Sequence, residues 1–319
     1  MKTDQTNEMS ETAGKEPPKL SIVTICYNEK NIEATCLSIK NQLWRNFEWI
    51  VIDGGSTDST LDILKKHEDQ ISILVSENDR GIYHAMNKGI SRASGEYIIF
   101  MNGGDYFLDI FALERVFTNF DLNKDIVCCD VMLILEEGRN MLLQFKHFMP
   151  ITPEFFLDRC ISHQATFIKR QLFVMHGGYN EKRRIVADWE KWIELTKIHR
   201  VEIGHIETVL AIHHYTGISS IMDETHLNER REVIETYFPD MANSLPPQAS
   251  RNIAPTIKNR IADKMPSPRG ASHYRNYCKV KIFNFILLLR IKKHCHKNNF
   301  KYYLLNFIPI GSSTSSITK

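Results

Sequence analysis

The chain has 319 residues, 43% of them hydrophobic, enough for one large or two modest domains with a real core. Seven cysteines form no evenly spaced framework and no C-x-x-C pair, which argues against a disulfide scaffold or a zinc site and for reduced, cytosolic thiols. The net charge of +2 hides an asymmetry: Arg251 to Lys319 carries +13, with Asp263 its single acid, and the remainder carries −11, so a basic tail is set to meet something anionic.

Met1 to Pro18 is polar and lacks the apolar core of a signal peptide, and it reads as a disordered leader. Leu20 to Cys26 (LSIVTIC) is a buried, β-branched strand, followed by a loop at Tyr27-Asn28-Glu29. Asn31 to Gln42 is a helix with Ile32, Cys36 and Ile39 near one face. Phe47 to Asp53 is a second strand, and Gly54 to Asp58 a turn with capping chemistry for a helix through His67. Ile71 to Val75 is a third strand, Asp79-Arg80-Gly81 a loop, and Tyr83 to Arg92 a helix. Tyr97 to Met101 is a fourth strand, a short apolar run of the kind covered on both faces. Strand and helix patterns alternate through this half, which specifies an α/β fold with a mostly parallel central sheet.

Beyond Asp105 the order loosens. Ile126 to Leu135 reads as a strand through Cys128 and Cys129, whose side chains should face opposite ways. Ser162 to Phe167 leads into a strand-to-helix step, and His176 to Asn180 is a helix stop. Ala187 opens a helix through Ile198, with Asp188 at its N-terminus, where a carboxylate is favoured. Val209 to Tyr215 is a strand ending in His213-His214, only one of which alternation can turn toward a site. Pro246-Pro247 and Pro266 to Pro268 mark a boundary, giving a catalytic domain over 19–245 and a basic extension over 246–319.

No apolar run reaches transmembrane length. Lys281 to Tyr303 mixes an apolar stretch with Arg290, Lys292, Lys293 and Lys297; it is expected as a helix, lying either in a membrane interface or against the catalytic domain.

Neither G-x-x-x-x-G-K-[ST] nor G-x-G-x-x-G follows the first strand, which disfavours P-loop and dinucleotide-binding proteins. Instead the strand ends carry Thr24 and Tyr27, Asp53, Asp79-Arg80 and Asp105, polar groups outlining one nucleotide-sized crevice. The Asn102-Gly103-Gly104-Asp105 tract can meet a cation or phosphate closely, although a tight turn capping a helix at Phe111 would explain it too. Asp53 has turn chemistry as its plain alternative, and Asp58 reads as a cap. Lys88 reads as a solvated helix residue, Trp189 and Trp192 as core, and His163 as either a satisfied loop histidine or an acceptor contact.

Six ordered tracts, SIVTICYNE, FEWIVIDGGSTDST, ENDRGIYHAMNKGI, SGEYIIFMNGGDYF, SHQATFIKR and ADWEKWIEL, together resemble the inverting family-2 glycosyltransferases of the glycosyltransferase-A fold, especially bacterial ones building O-antigen, capsule or colanic acid. The resemblance spans about Leu20 to Ser220. It implies a nucleotide-diphospho-sugar donor, a saccharide or polyprenyl-diphosphate-linked acceptor and a divalent metal, Mg²⁺ or Mn²⁺. It implies no nucleic acid, and a cytoplasmic protein peripheral on the inner face of the membrane. By position, Thr24, Tyr27 and Glu29 would line the nucleoside pocket, Asp53 would hold base or ribose, and Asp79 and Arg80 would close the site. Asn102 to Asp105 would hold the metal on the diphosphate, with His213 or His214, the latter the one favoured, adding a contact. Asp188 would be the catalytic base, with Glu190 its rival.

Two departures stand out: Gly104 occupies the place where many relatives have a second acid, and His84 the place of an Asp. Two other readings stay open, a nucleotide-sugar-binding protein without turnover, favoured by Gly104, and a nucleotidyltransferase, disfavoured because no Gly-rich basic loop follows the first strand.

Overall fold

The computed structural model describes residues 18–119, 124–134, 140–145, 148–157, 159–214 and 223–242, and the backbone of strands at 277–282, 285–293 and 300–305. The expected leader and the Pro-rich boundary fall almost wholly outside the described residues.

The first half alternates as its patterning requires: β1 (Leu20–Cys26), α1 (Ile32–Lys40), β2 (Phe47–Asp53), α2 (Thr60–Lys65), β3 (Ile73–Ser76), α3 (Ile82–Arg92) and β4 (Tyr97–Phe100). These strands lie side by side in the order β3-β2-β1-β4, every pairing parallel. Each residue of β1 and β4 is buried, because helices cover both faces. Alternate β1 residues go to opposite cores: Val23 and Ile25 pack with α3, while Leu20, Ile22 and Cys26 pack with α1.

The second half is mixed. It runs β5 (Tyr106–Phe107), α4 (Ala112–Asn119), β6 (Ile126–Ile134), β7 (Asn140–Leu143), β8 (Thr166–Lys169), α5 (Arg170–His176), α6 (Ala187–Ile193), β9 (Ile203–His214), α7 (Glu224–Tyr237) and α8 (Pro239–Ala242). β8 joins β4 to β6 antiparallel to both, β9 runs parallel to β6, and β5 closes the order antiparallel to β9. Cys128 and Cys129 point into opposite cores, as alternation demands.

The chain departs from expectation in several places. β5 and β7 are short edge strands that carry no alternating pattern of their own, and α7 had no expectation in the sequence. β9 starts six residues earlier than Val209, and the helix from Ala187 passes into a π turn at Glu194–Ile198. The expected helix at Lys281 to Tyr303 is corrected: β10 (Tyr277–Ile282), β11 (Phe285–Lys293) and β12 (Phe300–Leu305) form a separate antiparallel sheet in the order β10-β11-β12. The β-branched and aromatic content of those runs favours strand.

Register places the site. Cys26 lies abreast of Asp53, and Gly54 N–H and Gly103 N–H donate to Cys26 O and Ile25 O, each at 2.9 Å. The loops after β1, β2 and β4 therefore leave the sheet along one edge. β5 follows Asp105 at once and pairs Tyr106 with Ile212 of β9, which delivers the end of β9 to the same edge.

Candidate active site

A cleft of about 270 Å³ opens along that edge, lined by Glu29, Asn31, Ile82, Tyr83, Met86, Asn102 to Asp105, His163, Gln164, Ile185, Asp188, His213 and His214.

Its floor is the tract after β4. Gly104 has φ +91°, a conformation open to glycine, and its N–H donates to Thr35 Oγ1 (2.9 Å), whose hydroxyl donates to Asp105 O (2.8 Å). Thr35 of α1 thus fixes the turn from beneath. The Asp105 carboxylate accepts from Gln164 Nε2 through Oδ2 (2.9 Å) and meets His213 Nδ1 through Oδ1 (2.7 Å). The absent acid at position 104 has a neighbour in its stead: a Cβ there would stand 3.5 Å from the Glu29 carboxyl carbon. The turn-and-cap role falls instead to Asp109, which accepts from Phe111 N–H at 2.9 Å.

Of the two histidines, His213 is the one against Asp105. His214 also lines the cleft, but its Nε2 faces Tyr106 OH at 3.3 Å, and burial lowers its pKa. Two ligands about 2.1 Å from an octahedral ion and at right angles stand about 3 Å apart, so the Asp105–His213 donor pair, an oxygen and a nitrogen, fits a divalent cation. Among the described residues no cluster of three or more ligating side chains converges, so an ion held here would take its remaining ligands from substrate and water.

Across the cleft Asp188 opens α6. Its Oδ1 accepts from Tyr83 OH (2.9 Å) and its Oδ2 meets His163 Nδ1 (3.4 Å). Burial pushes this carboxyl up, but the hydrogen bond from His163, the Tyr83 hydroxyl and the Trp189 N–H outweigh it and leave the group below its ordinary 3.8. It is therefore ionised at neutral pH. Burial and the adjacent Asp188 drive the Tyr83 hydroxyl in the other direction, well above 10.

Glu190 does not reach the cleft. It is buried against Arg183, which donates to Oε2 at 3.2 Å, and Asn180 donates to the same oxygen at 3.1 Å. Residues two apart on a helix sit about 200° around the axis, so when Asp188 faces the cleft Glu190 faces away. Trp189 and Trp192 are core, Trp189 Nε1–H donating to Phe156 O at 2.7 Å.

The remaining candidates line up along the β1–β3 edge beside the cleft. Thr24 is buried and accepts from Trp49 Nε1–H at 3.0 Å, which spends its hydroxyl inside the core. Asp53 is wholly buried and accepts from Ser56 N–H (3.0 Å), the Ser56 hydroxyl and Ser76 Oγ–H (2.6 Å), so it shapes the turn that follows it. Tyr27 is 62% exposed at the end of β1. Asp79 lies over Gly54, where any Cβ would meet its Oδ2 at 2.6 Å, so that glycine lets the β2 and β3 loops touch. Arg80 reaches Glu181 in the α5–α6 connection at 2.6 Å, and its N–H donates to His84 Nδ1 at 3.1 Å. Lys88, expected in solvent, is mostly buried and pairs with Glu77 at 3.0 Å.

Gln164 and Tyr83 were not singled out in the sequence. Their signal lay in the SHQATF and GIYHAMNKG tracts, which carry polar side chains into an otherwise apolar setting.

A parallel half-sheet whose strand ends carry a glycine-flanked Asp, joined to a mixed half that supplies a histidine and a second Asp, is the architecture of the glycosyltransferase-A fold. Solved structures agree. Staphylococcus aureus TarS 1–349 in complex with UDP-GlcNAc aligns with TM-score 0.57 and 18% identity over 77% of this chain and 73% of that one. The mannosyltransferase PcManGT of Pyrobaculum calidifontis, in complex with GDP-Man and Mn²⁺, aligns with TM-score 0.51 and 18% identity over 81% and 78%. The sequence model of Glycosyl transferase family 2 matches residues 21–183, and the chain belongs to that family. It is 31% identical over 218 residues to the PGL/p-HBAD biosynthesis glycosyltransferase of Mycobacterium bovis, covering 66% of this chain and 83% of the relative. It is 29% identical over 183 residues to the cholesterol galactosyltransferase of Borreliella burgdorferi, covering 55% and 48%. The protein is a glycosyltransferase, and among its described residues no helix is long and apolar enough to cross a membrane.

Proposed function

We propose that the protein transfers a sugar from a nucleotide-diphosphate donor to a saccharide or lipid-linked acceptor with inversion at the anomeric carbon, in the assembly of a surface glycan. The carrying observation is that one cleft holds two differently prepared carboxylates, Asp105 beside His213 and Asp188 beside His163.

In this reading Asp188, ionised and held by Tyr83 and His163, accepts the proton of an acceptor hydroxyl as its oxygen attacks the anomeric carbon. The bond from that carbon to the diphosphate oxygen breaks on the opposite side, and the nucleoside diphosphate leaves with the electron pair. Asp105 and His213 would hold a divalent cation, which when bound supplies charge stabilisation to the diphosphate. Tyr27 and Glu29 stand where the nucleoside enters, while Thr24 and Asp53 act from within by fixing the strand ends. Ile82, Met86 and Ile185 give the acceptor side an apolar wall for the C–H face of a sugar ring. The names of the mycobacterial and Borreliella relatives support a glycolipid acceptor. The basic segment beyond residue 245 would keep the enzyme on an anionic membrane surface where such acceptors reside.

The test is a panel of UDP- and GDP-sugars with Mn²⁺ and extracted lipid-linked acceptors, followed by UDP or GDP release and by NMR of the product's anomeric proton. Release with retained configuration would overturn inversion, and tight binding of every donor without release would favour a binding protein.

A further inference from the structure

We propose that His163 is a positioning residue that orients the Asp188 carboxylate, and that Asn102 selects the His163 tautomer able to do so. The proposal rests on Asp188 being the base.

Three side chains from three elements form a line. Asn102 Nδ2 lies 3.1 Å from His163 Nε2, and His163 Nδ1 lies 3.4 Å from Asp188 Oδ2. An amide NH₂ can only donate, so His163 Nε2 accepts and, in the neutral ring, the proton sits on Nδ1, facing the carboxylate. The reversed amide would present Oδ1 to Nε2, draw the proton to that side and leave a bare Nδ1 lone pair against Asp188. In the orientation that serves Asp188, Asn102 Oδ1 is buried without a partner.

The Tyr83 hydroxyl on the other oxygen is not a full substitute. It has one proton, and Ile185 O at 2.6 Å competes with Asp188 Oδ1 at 2.9 Å for it. The His163 N–H has Asp188 as its acceptor. Both side chains of the pair are largely buried, 20% and 18% exposed, so water does little of this orienting work. Asn102 begins the tract that ends in Asp105, so the same contact sets the base relative to the leaving-group side of the cleft.

The test uses the full chain and a stereochemical difference between two substitutions. An Asn side chain can put its amide nitrogen where Nδ1 stands, and a Gln side chain can put its amide oxygen where Nε2 stands. His163→Asn keeps a donor to Asp188, whereas His163→Gln keeps only an acceptor for Asn102 Nδ2. With the donor that the UDP- and GDP-sugar panel identifies, His163→Gln should lower kcat about 10- to 100-fold with donor KM unchanged, and His163→Asn should lose several-fold less. In an Asp188→Asn background, His163→Gln should add no further loss. Independently of turnover, ¹⁵N-histidine NMR of the wild-type chain, with His163 assigned by its absence in His163→Asn, should show the Nδ1–H tautomer. Equal rates for the Gln and Asn variants, a full additional loss in the Asp188→Asn background, or an Nε2–H tautomer would each overturn the proposal. A near-wild-type rate for Asp188→Asn alone would instead remove the base assignment, so the two failures are distinguishable.

Discussion

Asp105 Oδ1 and His213 Nδ1 lie 2.7 Å apart although 108 residues separate them in sequence. The two-residue strand β5 is the cause: it leaves the Asp105 turn and pairs directly with the end of β9. Asp105→Asn and His213→Ala should each weaken Mn²⁺ binding by more than about tenfold, whereas His214→Ala, lost from the Tyr106 side, should weaken it less. Titration calorimetry or Mn²⁺ electron paramagnetic resonance on the donor-free protein reads this without turnover. Unchanged Mn²⁺ affinity in His213→Ala would exclude that residue from the site.

A separate expectation concerns stability. Glu190 shares Arg183 with Glu232, and both Arg183 and Glu190 have largely buried side chains. Glu190→Gln removes the charge that the guanidinium faces in the interior, so it should cost about 1–3 kcal/mol in urea unfolding. Because Glu190 points away from the cleft, the transfer rate of the folded variant should stay near that of wild type. An inactive but stable Glu190→Gln protein would reverse the assignment of the base.

Much of this was legible in the residues, and the exceptions have physical reasons. β1, β2 and β4 read clearly because strands covered on both faces become continuous apolar runs. The Gly-Gly-Asp tract read as either turn or ligand site, since both need the same backbone freedom, and the side chains that meet Asp105, His213 and Gln164, come from distant parts of the chain. Alternation allowed one of His213 and His214 to face Asp105 but could not say which, because that depends on the register of β9 against β5. Asp188 and Glu190 could have been separated from sequence alone by their half-turn offset on a helix. Thr24 and Asp53 looked like ligand groups because they end strands, yet their partners, Trp49, Ser56 and Ser76, come from neighbouring elements whose proximity is tertiary information.

The C-terminal extension leads to a third prediction. Its sequence sets a run of Phe, Ile and Leu beside Arg and Lys, and its described backbone is strand rather than helix. Attachment to an anionic surface depends on charge and apolar content more than on secondary structure, each basic residue adding about 1 kcal/mol near the leaflet. The full chain should float with phosphatidylserine-containing vesicles at low salt, detach at about 0.5 M salt, where screening is short-ranged, and stay behind with neutral vesicles. Failure to float with the anionic vesicles at low salt removes membrane attachment.

The last prediction is the pH dependence of transfer through Asp188. Burial alone would raise this carboxyl, and the contacts from His163, Tyr83 and the Trp189 N–H carry it the other way, below 3.8. A base acts only when ionised, so the active form is complete above the ordinary carboxylate range and is lost as pH falls through the depressed value. The rate should therefore show no acid limb from this group between about pH 7 and pH 5. The stability that its contacts contribute follows the same sign, present above the unfolded-state value and lost as pH falls through the folded one. Tyr83→Phe removes one of the contacts that favour the charged form, so the limb should move up toward neutral pH while donor affinity is kept. Asp188→Asn cannot accept the proton at any pH and should lower turnover by about two or more orders of magnitude. Single-turnover rates from pH 4.5 to 8, with donor affinity measured in parallel, check all three. A Tyr83→Phe profile that superimposes on wild type, or an Asp188→Asn rate close to wild type, would show that the proton goes elsewhere.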